Sequence, residues 1–267
     1  MSEQDPSQRL KGGEPSRAKG NLMRRIASLR RMALWRQLLR VDLIRFIVAA
    51  IRFVYFRRTR GIQTVTGSPD AVSDLTVFHN LKGLRDLAVV RSTMLIRPLA
   101  SLEVLSSSSR ILCVGPRTEG ELLNVVAHGF SRRSVRGLDL ISYSPWVDLG
   151  DMHAMPYPDD SWDVVMLAWV LAYSLDQPLA AMESIRVVRP GGIVAVGVEY
   201  NPLSDQEITA IEGYAPGNPS RLTTVAEILH LFYPHVETVH FQHDVHQSRR
   251  HLKGGIAAVF SINKEPL

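Results

Sequence analysis

Apolar runs of strand length alternate with stretches of helical periodicity over the second half of the chain. This alternation predicts a mostly parallel sheet covered by helices on both faces, because parallel neighbours need a crossover that carries a helix. The predicted strands are residues 110–114, 135–140, 162–169, 192–199, 236–242 and 255–263. The predicted helices are residues 119–128, 178–188, 204–214 and 225–233. An α/β domain over residues 110–267 follows from this pattern.

The N-terminal part has a different pattern. Residues 1–20 are polar and lack apolar periodicity, which predicts a disordered tail, and no signal peptide is visible. Residues 21–60 have a helical pattern in which Asp42, Arg45 and Arg52 line one narrow stripe beside a wide apolar face. Three charges in the apolar half make a membrane span unfavourable. Flanking arginines suit a helix that lies in an anionic lipid interface, and packing on the domain or on a partner is the alternative.

Residues 61–109 read as a linker followed by helices ahead of the sheet, with the apolar spacing broken at Gly83 and Pro98. Only residues 141–146 separate the second strand from Val147. A crossover that carries a helix needs about a dozen residues, so this helix is expected to be missing or vestigial. Either the helices in residues 71–105 or the basic helix must then cover that face of the sheet.

The net charge of +5 hides an asymmetry, since residues 21–60 alone contain eleven arginines and one acid. The basic character belongs to this arm, and we expect no nucleic-acid binding by the domain. The chain has one cysteine, Cys113, inside a predicted strand. No disulfide can form within the chain, so a reducing cytoplasmic interior is the simpler location.

Three segments in fixed order resemble a known family. They are VRGLDL at 135–140, GDMHAMPYPDDSWDVV at 150–165 and RVVRPGG at 186–192. The chain thereby resembles the class I S-adenosylmethionine-dependent methyltransferases, in particular the small-molecule, type 11-like domains. The resemblance implies a Rossmann-like, mostly parallel sheet of seven strands that ends in an antiparallel edge. It also implies S-adenosylmethionine as the cofactor and a small molecule as the methyl acceptor.

The resemblance assigns cofactor contacts to four side chains. Asp139 ends the second strand, where a carboxylate can accept hydrogen bonds from ribose hydroxyls. Asp151 matches the acid that accepts from the adenine amino group, and Met152 matches the side chain that packs on the ring. Trp169, at the end of the predicted strand 162–169, is expected to line the same pocket.

The loop after the first strand departs from the family pattern of an acid followed by G-x-G-x-G. Gly115 and Gly120 are present, but Cys113 replaces the acid and Arg117 replaces the middle glycine. One hypothesis is that Glu119 holds the cofactor's ammonium group while Arg117 meets its carboxylate. The other is that the loop no longer binds cofactor. The protein would then be a catalytically silent binding or scaffold module at a membrane surface.

The acceptor side is less defined. Methyl transfer needs proximity and, for an oxygen acceptor, a base. Tyr173, Glu199 and Tyr200 are the candidates, because they follow strands at the edge where ligands of parallel sheets gather. No metal site is expected, since the C-terminal histidines fall on opposite faces of a strand. A nicotinamide-dependent oxidoreductase is disfavoured because G-x-G-x-x-G is absent. The predicted function is methyl transfer to a small, hydrophobic or lipid-like acceptor.

Overall fold

The computed structural model describes residues 33–65, 92–212 and 221–265. The predicted tail at 1–20, the start of the basic helix, the helices expected between residues 71 and 91, and the loop at 213–220 lie outside these ranges. The helices are α1 Asp42–Arg60, α2 Thr93–Ser101, α3 Glu119–Ala127, α4 Gln177–Val187, α5 Asp205–Glu212 and α6 Val225–Leu231. The strands are β1 Gln63–Thr64, β2 Ile111–Val114, β3 Val135–Asp139, β4 Ile141–Ser142, β5 Val147–Leu149, β6 Trp162–Ala168, β7 Val188–Tyr200, β8 Val236–His243 and β9 Gly254–Ile262.

Seven of these strands form one sheet in the order β5-β3-β2-β6-β7-β9-β8. The first five are parallel, and β9 pairs antiparallel with both β7 and β8. The predicted seven-stranded, mostly parallel sheet with an antiparallel edge is therefore confirmed. The sequence pattern predicted six of these seven strands, all except β5. The predicted start of β7 at residue 192 was too late, because the strand begins at Val188. A break predicted at Pro98 does not occur, because α2 continues through it to Ser101.

Strand side chains alternate between two core clusters, one on each face of the sheet. Cys113 and Ile111 join the cluster under α1, α2 and α3, whereas Leu112 and Val114 join the cluster under α4 and α6. The first cluster also contains Leu39 and Ala49, which are both completely buried. The N-terminal arm is therefore packed into the same core as the sheet.

The connection between β3 and β5 contains no helix, as expected from its length. The chain instead forms β4, which pairs antiparallel with β1. Tyr143 follows β4 and packs edge-to-face against Phe53 of α1, with ring centroids 4.9 Å apart. The helices in residues 71–105 and the basic helix were the two elements predicted to cover this face of the sheet. The contact with Tyr143 comes from α1, which is part of the basic helix.

Helix α1 lies with Arg45 and Arg52 of its charged stripe toward the domain and with much of its apolar stripe toward solvent. Arg45 is only 2% exposed and donates to the carbonyl oxygen of Leu39 at 2.9 Å. In contrast, Leu43 is 66% exposed and Ile51 is 65% exposed. A turn at Arg40 also separates α1 from a helical segment at residues 33–39, where one continuous helix was predicted. Within the described ranges, no helix combines the length and apolarity that crossing a bilayer requires.

Candidate functional site

The candidate site lies at the carboxyl ends of β2, β3 and β6. Gly115 follows β2 with a positive φ of 65°, and its amide donates to the carbonyl oxygen of Leu138 at 2.8 Å. A Cβ at this position would lie 2.7 Å from Cγ2 of Val170, which follows β6. Glycine is therefore required both by the backbone conformation and by the close approach of the two loops.

Asp139 closes β3 and is 8% exposed. Its Oδ1 accepts from the amide of Ile141 at 3.2 Å. Burial raises the pKa of this carboxyl from an ordinary value of 3.8 to about 7. The Ile141 amide opposes that change, the nearby Glu121 reinforces it, and Arg117 opposes it more weakly. The protonation state of Asp139 therefore changes within the physiological pH range.

Arg117 connects the loop after β2 to the segment after β6. Its backbone has a positive φ of 27°, which is uncommon for a residue with a side chain. Its guanidinium Nη2 lies 3.4 Å from the hydroxyl of Tyr173, in the 3₁₀ turn Leu171–Tyr173. The structure thus brings together two residues that were predicted separately, one for the cofactor and one for the acceptor.

Glu119 begins α3 and is completely buried. Nη2 of Arg52 donates to Oε1 at 2.8 Å, and Nε of Arg52 donates to Oε2. The hydroxyl of Ser144 also donates to Oε1, and the Glu119 amide donates to the Tyr143 hydroxyl at 3.0 Å. The hydrogen bond with Glu119 raises the pKa of Arg52. The carboxylate predicted to meet the cofactor's ammonium group is turned to Arg52 here, and that role stays a prediction.

The next glycine of the loop, Gly120, is buried in the first turn of α3. Its amide donates to the hydroxyl of Thr118 at 3.2 Å, which caps the helix. The helix start is thereby fixed beside β2, where the family places its cofactor loop.

Asp151 belongs to a hydrogen-bonded chain that sequence reading missed. Its Oδ1 lies 2.6 Å from Nδ1 of His153 and accepts from the His153 amide at 2.9 Å. Nε2 of His153 lies 2.7 Å from the hydroxyl of Ser174, which is completely buried. With its proton on Nδ1, the imidazole donates to Asp151 and accepts from Ser174. The chain joins the segment predicted to bind adenine to the segment that follows β6.

A local signal for the first half of this chain was present. An aspartate often accepts from the backbone two residues later, which places a histidine at that position next to the carboxylate. Ser174 is 21 residues further along, and only the fold brings it to His153.

Met152 and Trp169 contribute mainly apolar contacts. Met152 is partly buried against the core cluster under α4 and α6. Trp169 belongs to the cluster under α2, and its ring packs on Gly197, where a Cβ would lie 2.7 Å from it. The observed contacts of Trp169 are therefore with the core, and its place in the cofactor pocket stays a prediction.

The other two acceptor candidates, Glu199 and Tyr200, lie on β7 and make different contacts from those of Tyr173. Glu199 is exposed, and its backbone pairs with Gly255 of β9. Tyr200 donates from its hydroxyl to the carbonyl oxygen of Arg250 at 3.0 Å, and the Arg250 guanidinium lies 5.3 Å from its ring centre. Their contacts lie on the β9 side of the sheet. The described residues contain no group of three or more side chains suited to a metal ion.

The side chains at this site suit a ligand that carries two neighbouring hydroxyl groups and an adenine. Asp139 and Asp151 supply carboxylate oxygens at the ends of neighbouring strands, and Gly115 allows a ligand close to the main chain. For the methionine end, Arg117 supplies a cation, whereas the carboxylate of Glu119 is held by Arg52. The residues thus fit the adenosine half of S-adenosylmethionine better than its amino-acid half.

Comparisons with known proteins show similarity to methyltransferases. A family model described as "Methyltransferase domain" matches residues 119–196, a range that begins two residues after Arg117. A malonyl-[acyl-carrier protein] O-methyltransferase from Halorhodospira halophila is 30% identical over 123 residues. That match spans 41% of this chain and 41% of the relative, so less than half of the relative's length is covered.

One solved structure shares this fold with a TM-score above 0.5. The crystal structure of MccD protein aligns with a TM-score of 0.51 at 12% identity, covering 64% of this chain and 96% of that chain. An S-adenosylmethionine-dependent methyltransferase from Mesorhizobium loti aligns at 15% identity with a TM-score of 0.47, covering 64% and 98%. Residues 119–196 therefore match a methyltransferase domain, and this match together with the sheet order supports a class I S-adenosylmethionine-dependent methyltransferase that uses S-adenosylmethionine as its cofactor.

Proposed function

We propose that this protein transfers a methyl group from S-adenosylmethionine to a hydrophobic or lipid-like small molecule at an anionic membrane surface. The observation that carries the proposal is the orientation of α1, whose apolar stripe faces solvent. S-adenosylmethionine supplies an electrophilic methyl group when it is bound. The protein's part is to hold the cofactor and to bring the acceptor to it.

The exposed stripe of α1 supports a lipid-facing role. It consists of Leu43, Phe46, Ile47, Ile51 and Val54, each at least 36% exposed. A packed surface helix normally turns such residues toward the core, so this helix has the reverse orientation. Burying these side chains in the interfacial region of a bilayer would remove their apolar area from water.

The charges around the stripe select the type of surface. Arg57, Arg58 and Arg60 in the last turn of α1 are all exposed. Each basic residue near an anionic surface contributes about 1 kcal/mol of attraction. The cytoplasmic leaflet carries anionic lipids, and the single free cysteine is compatible with a reducing compartment. We therefore propose a peripheral location on the cytoplasmic face.

Within the site, we propose that Asp139 and Asp151 hold the adenosine part and that Tyr173 lies beside the acceptor. The ionised form of Asp139 is purely an acceptor and accepts from the ribose hydroxyls through both oxygens, and its pKa of about 7 lets that form predominate above neutrality. Tyr173 is placed next to Arg117, where the acceptor side meets the cofactor loop.

Vesicle sedimentation of the full chain tests the membrane part. The wild type should sediment with phosphatidylglycerol vesicles at low salt, less so at high salt, and only weakly with phosphatidylcholine vesicles. The triple variant Leu43→Ser/Ile47→Ser/Ile51→Ser should remain in the supernatant. A matched control is Leu175→Ser/Met182→Ser/Ile211→Ser, which removes equally exposed side chains from other elements. If both triple variants behave as the wild type does, the membrane proposal is wrong.

The methyl-transfer part has a separate test. Full-length protein and labelled S-adenosylmethionine are incubated with a total lipid extract and, separately, with the water-soluble metabolite fraction. Label in the lipid fraction supports the proposed acceptor class. Label only in the soluble fraction contradicts it.

A second function is favoured by a specific observation at the cofactor loop. Arg117 replaces a family glycine and reaches Tyr173, while Glu119 is bound to Arg52. Such a loop suits a catalytically silent member that keeps the fold as a binding or scaffold module. Calorimetry with S-adenosylmethionine and its demethylated product separates the two, since absence of heat with both ligands would leave the scaffold.

A further inference from the structure

A cationic pocket lies between the start of α1, helix α2 and the end of α3. It has a volume of about 360 Å³. Its lining includes Arg40, Asp42 and Arg45 at the start of α1, Arg97 on α2, and Asn124 and His128 at the end of α3. None of these residues belongs to the set placed at the sheet edge above, and the inference drawn from the pocket does not depend on methyl transfer.

Positive charge exceeds negative charge in this pocket. Asp42 is the one acid in the lining, and its carboxylate already accepts from Nη2 of Arg45. Arg97 is exposed, and among the described contacts its guanidinium has no hydrogen bond or ion pair. Two of the three guanidinium groups thus remain without a carboxylate.

One buried donor in the lining is unsatisfied. Nε of Arg45 has no hydrogen-bond partner, although the residue is only 2% exposed. A buried N–H group without a partner costs free energy, more so when the group is charged. An anion in the pocket would supply an acceptor for this N–H group once the guanidinium turns toward it.

The histidine in the pocket indicates how the cations are arranged. Nδ1 of His128 is engaged with the carbonyl oxygen of Asn124 at 2.9 Å, so Nε2 is the ring atom left for a ligand. The pKa of His128 is lowered mainly by burial and further by Arg40, Arg97 and Arg45. Three guanidinium groups, from two helical elements, therefore act on a single ring.

Capping of α3 explains only part of this arrangement. Nε of Arg40 donates to the carbonyl oxygen of Ala127 at 3.1 Å, which satisfies one carbonyl of the helix end. That contact uses neither Arg97 nor Nε of Arg45. The remaining donors fit a tetrahedral anion, because guanidinium groups bind phosphate oxygens strongly.

We infer that this pocket binds a phosphate group, carried either by a soluble phosphate ester or by the headgroup of an anionic lipid. The pocket is larger than an inorganic ion needs, which leaves room for the glycerol part of a headgroup. Arg97, Arg40 and Nε of Arg45 bind the phosphate oxygens, and Nε2 of His128 donates once the ring is protonated.

Calorimetry of the full chain with inorganic phosphate and with glycerol 3-phosphate tests the inference. The wild type should bind both with one site, and glycerol 3-phosphate should bind more tightly. Arg97→Gln should weaken both about tenfold, since it removes a charged hydrogen bond at an exposed position. Arg133→Gln is the matched control, because Arg133 is equally exposed and lies outside the pocket. His128 titration followed by NMR adds a readout, and phosphate should raise the pKa of the ring.

The outcomes separate the two sources of phosphate. If the headgroup is the ligand, Arg97→Gln also weakens sedimentation with phosphatidylglycerol vesicles, and glycerol 3-phosphate competes with the vesicles. If a soluble ester is the ligand, calorimetric binding is weakened in the variant while sedimentation is unchanged. Absence of phosphate binding by the wild type, or an equal loss with Arg133→Gln, overturns the inference.

Discussion

Arg52 and Glu119 form a two-bond ion pair although they lie 67 positions apart, one on the N-terminal helix and one at the first turn of α3. The glutamate is completely buried, whereas the arginine side chain is 23% exposed. The pair therefore places a charge from the arm at the first turn of α3, next to the altered loop.

Removing one partner of this pair should be strongly destabilising, because a buried carboxylate would lose its counterion. We expect Arg52→Met to lower the free energy of unfolding by about 3 kcal/mol. The double variant Arg52→Met/Glu119→Gln should recover a large part of that loss. Urea denaturation measures both.

The control for this prediction is Arg189→Met, which removes the partly exposed pair with Asp163. An exposed pair contributes about 1 kcal/mol or less. Equal losses of unfolding free energy in Arg52→Met and Arg189→Met would show that the buried pair stabilises the fold no more than the partly exposed pair does.

The pKa of Asp139 predicts a pH dependence of cofactor affinity. If the ionised carboxylate accepts the ribose hydroxyls, affinity for S-adenosylhomocysteine should rise about tenfold from pH 6 to pH 8 as the group with a pKa of about 7 ionises. In Asp139→Asn this rise should be absent. Calorimetry at both pH values measures it, and a pH-independent affinity in the wild type would contradict the assigned role.

The carboxyl of Asp139 also predicts a pH dependence of stability. Its contribution to stability falls as the pH rises, whereas the predicted cofactor affinity increases. Its pKa in the folded state lies above 3.8, so between these values the folded protein holds a proton that the unfolded chain has released. The contribution is largest below about pH 4 and is lost as the pH rises through about 7. Asp139→Asn should flatten the stability profile between pH 4 and 7, as measured by denaturation at a series of pH values.

The chain from Asp151 through His153 to Ser174 predicts that His153 positions the carboxylate. His153→Ala removes the side-chain donor that His153 provides to Asp151 and should weaken S-adenosylhomocysteine binding by about 1 kcal/mol, while the fold persists. His246→Ala is the control, because His246 is exposed and bonded locally to Ser248. Unchanged affinity in His153→Ala would make the chain purely structural.

Gly115 predicts a loop that tolerates no side chain. Gly115→Ala should destabilise the protein by about 2 kcal/mol, since it combines a left-handed backbone with a contact to Val170. Gly191→Ala has a similar φ of +67° with open space around the new methyl group, and should cost about 1 kcal/mol. The difference between the two variants in thermal unfolding reports the Val170 contact, and no difference would mean that the loop adjusts.

The sequence was most informative where local pattern and function coincide. The alternation of apolar runs predicted the sheet, and the segment ending in Asp139 predicted a carboxylate at the end of β3. The three residues of β5 were too short to stand out as an apolar run. The Arg52 and Ser174 contacts could not be predicted, because each joins residues far apart in sequence through the fold.

The orientation of α1 illustrates a different limit. Helical periodicity separated Asp42, Arg45 and Arg52 from the apolar stripe, but it cannot say which side of a helix faces its own domain. Helix α3 offers Glu119 to Arg52, and the helical segment at residues 33–39 offers the Leu39 carbonyl to Arg45, so these two arginines pack inward. Such a choice depends on partners that lie elsewhere in the chain.

The burial of Leu39 and Ala49 in the core under α1 to α3 has a consequence for where this protein can be cut. A fragment that begins at Gly61 would open that core and would strand the Glu119 carboxylate without a cation. We expect it to unfold or aggregate rather than to behave as an isolated catalytic unit. The smallest folding unit therefore starts upstream of residue 39, some 80 positions before the region that the family model recognises.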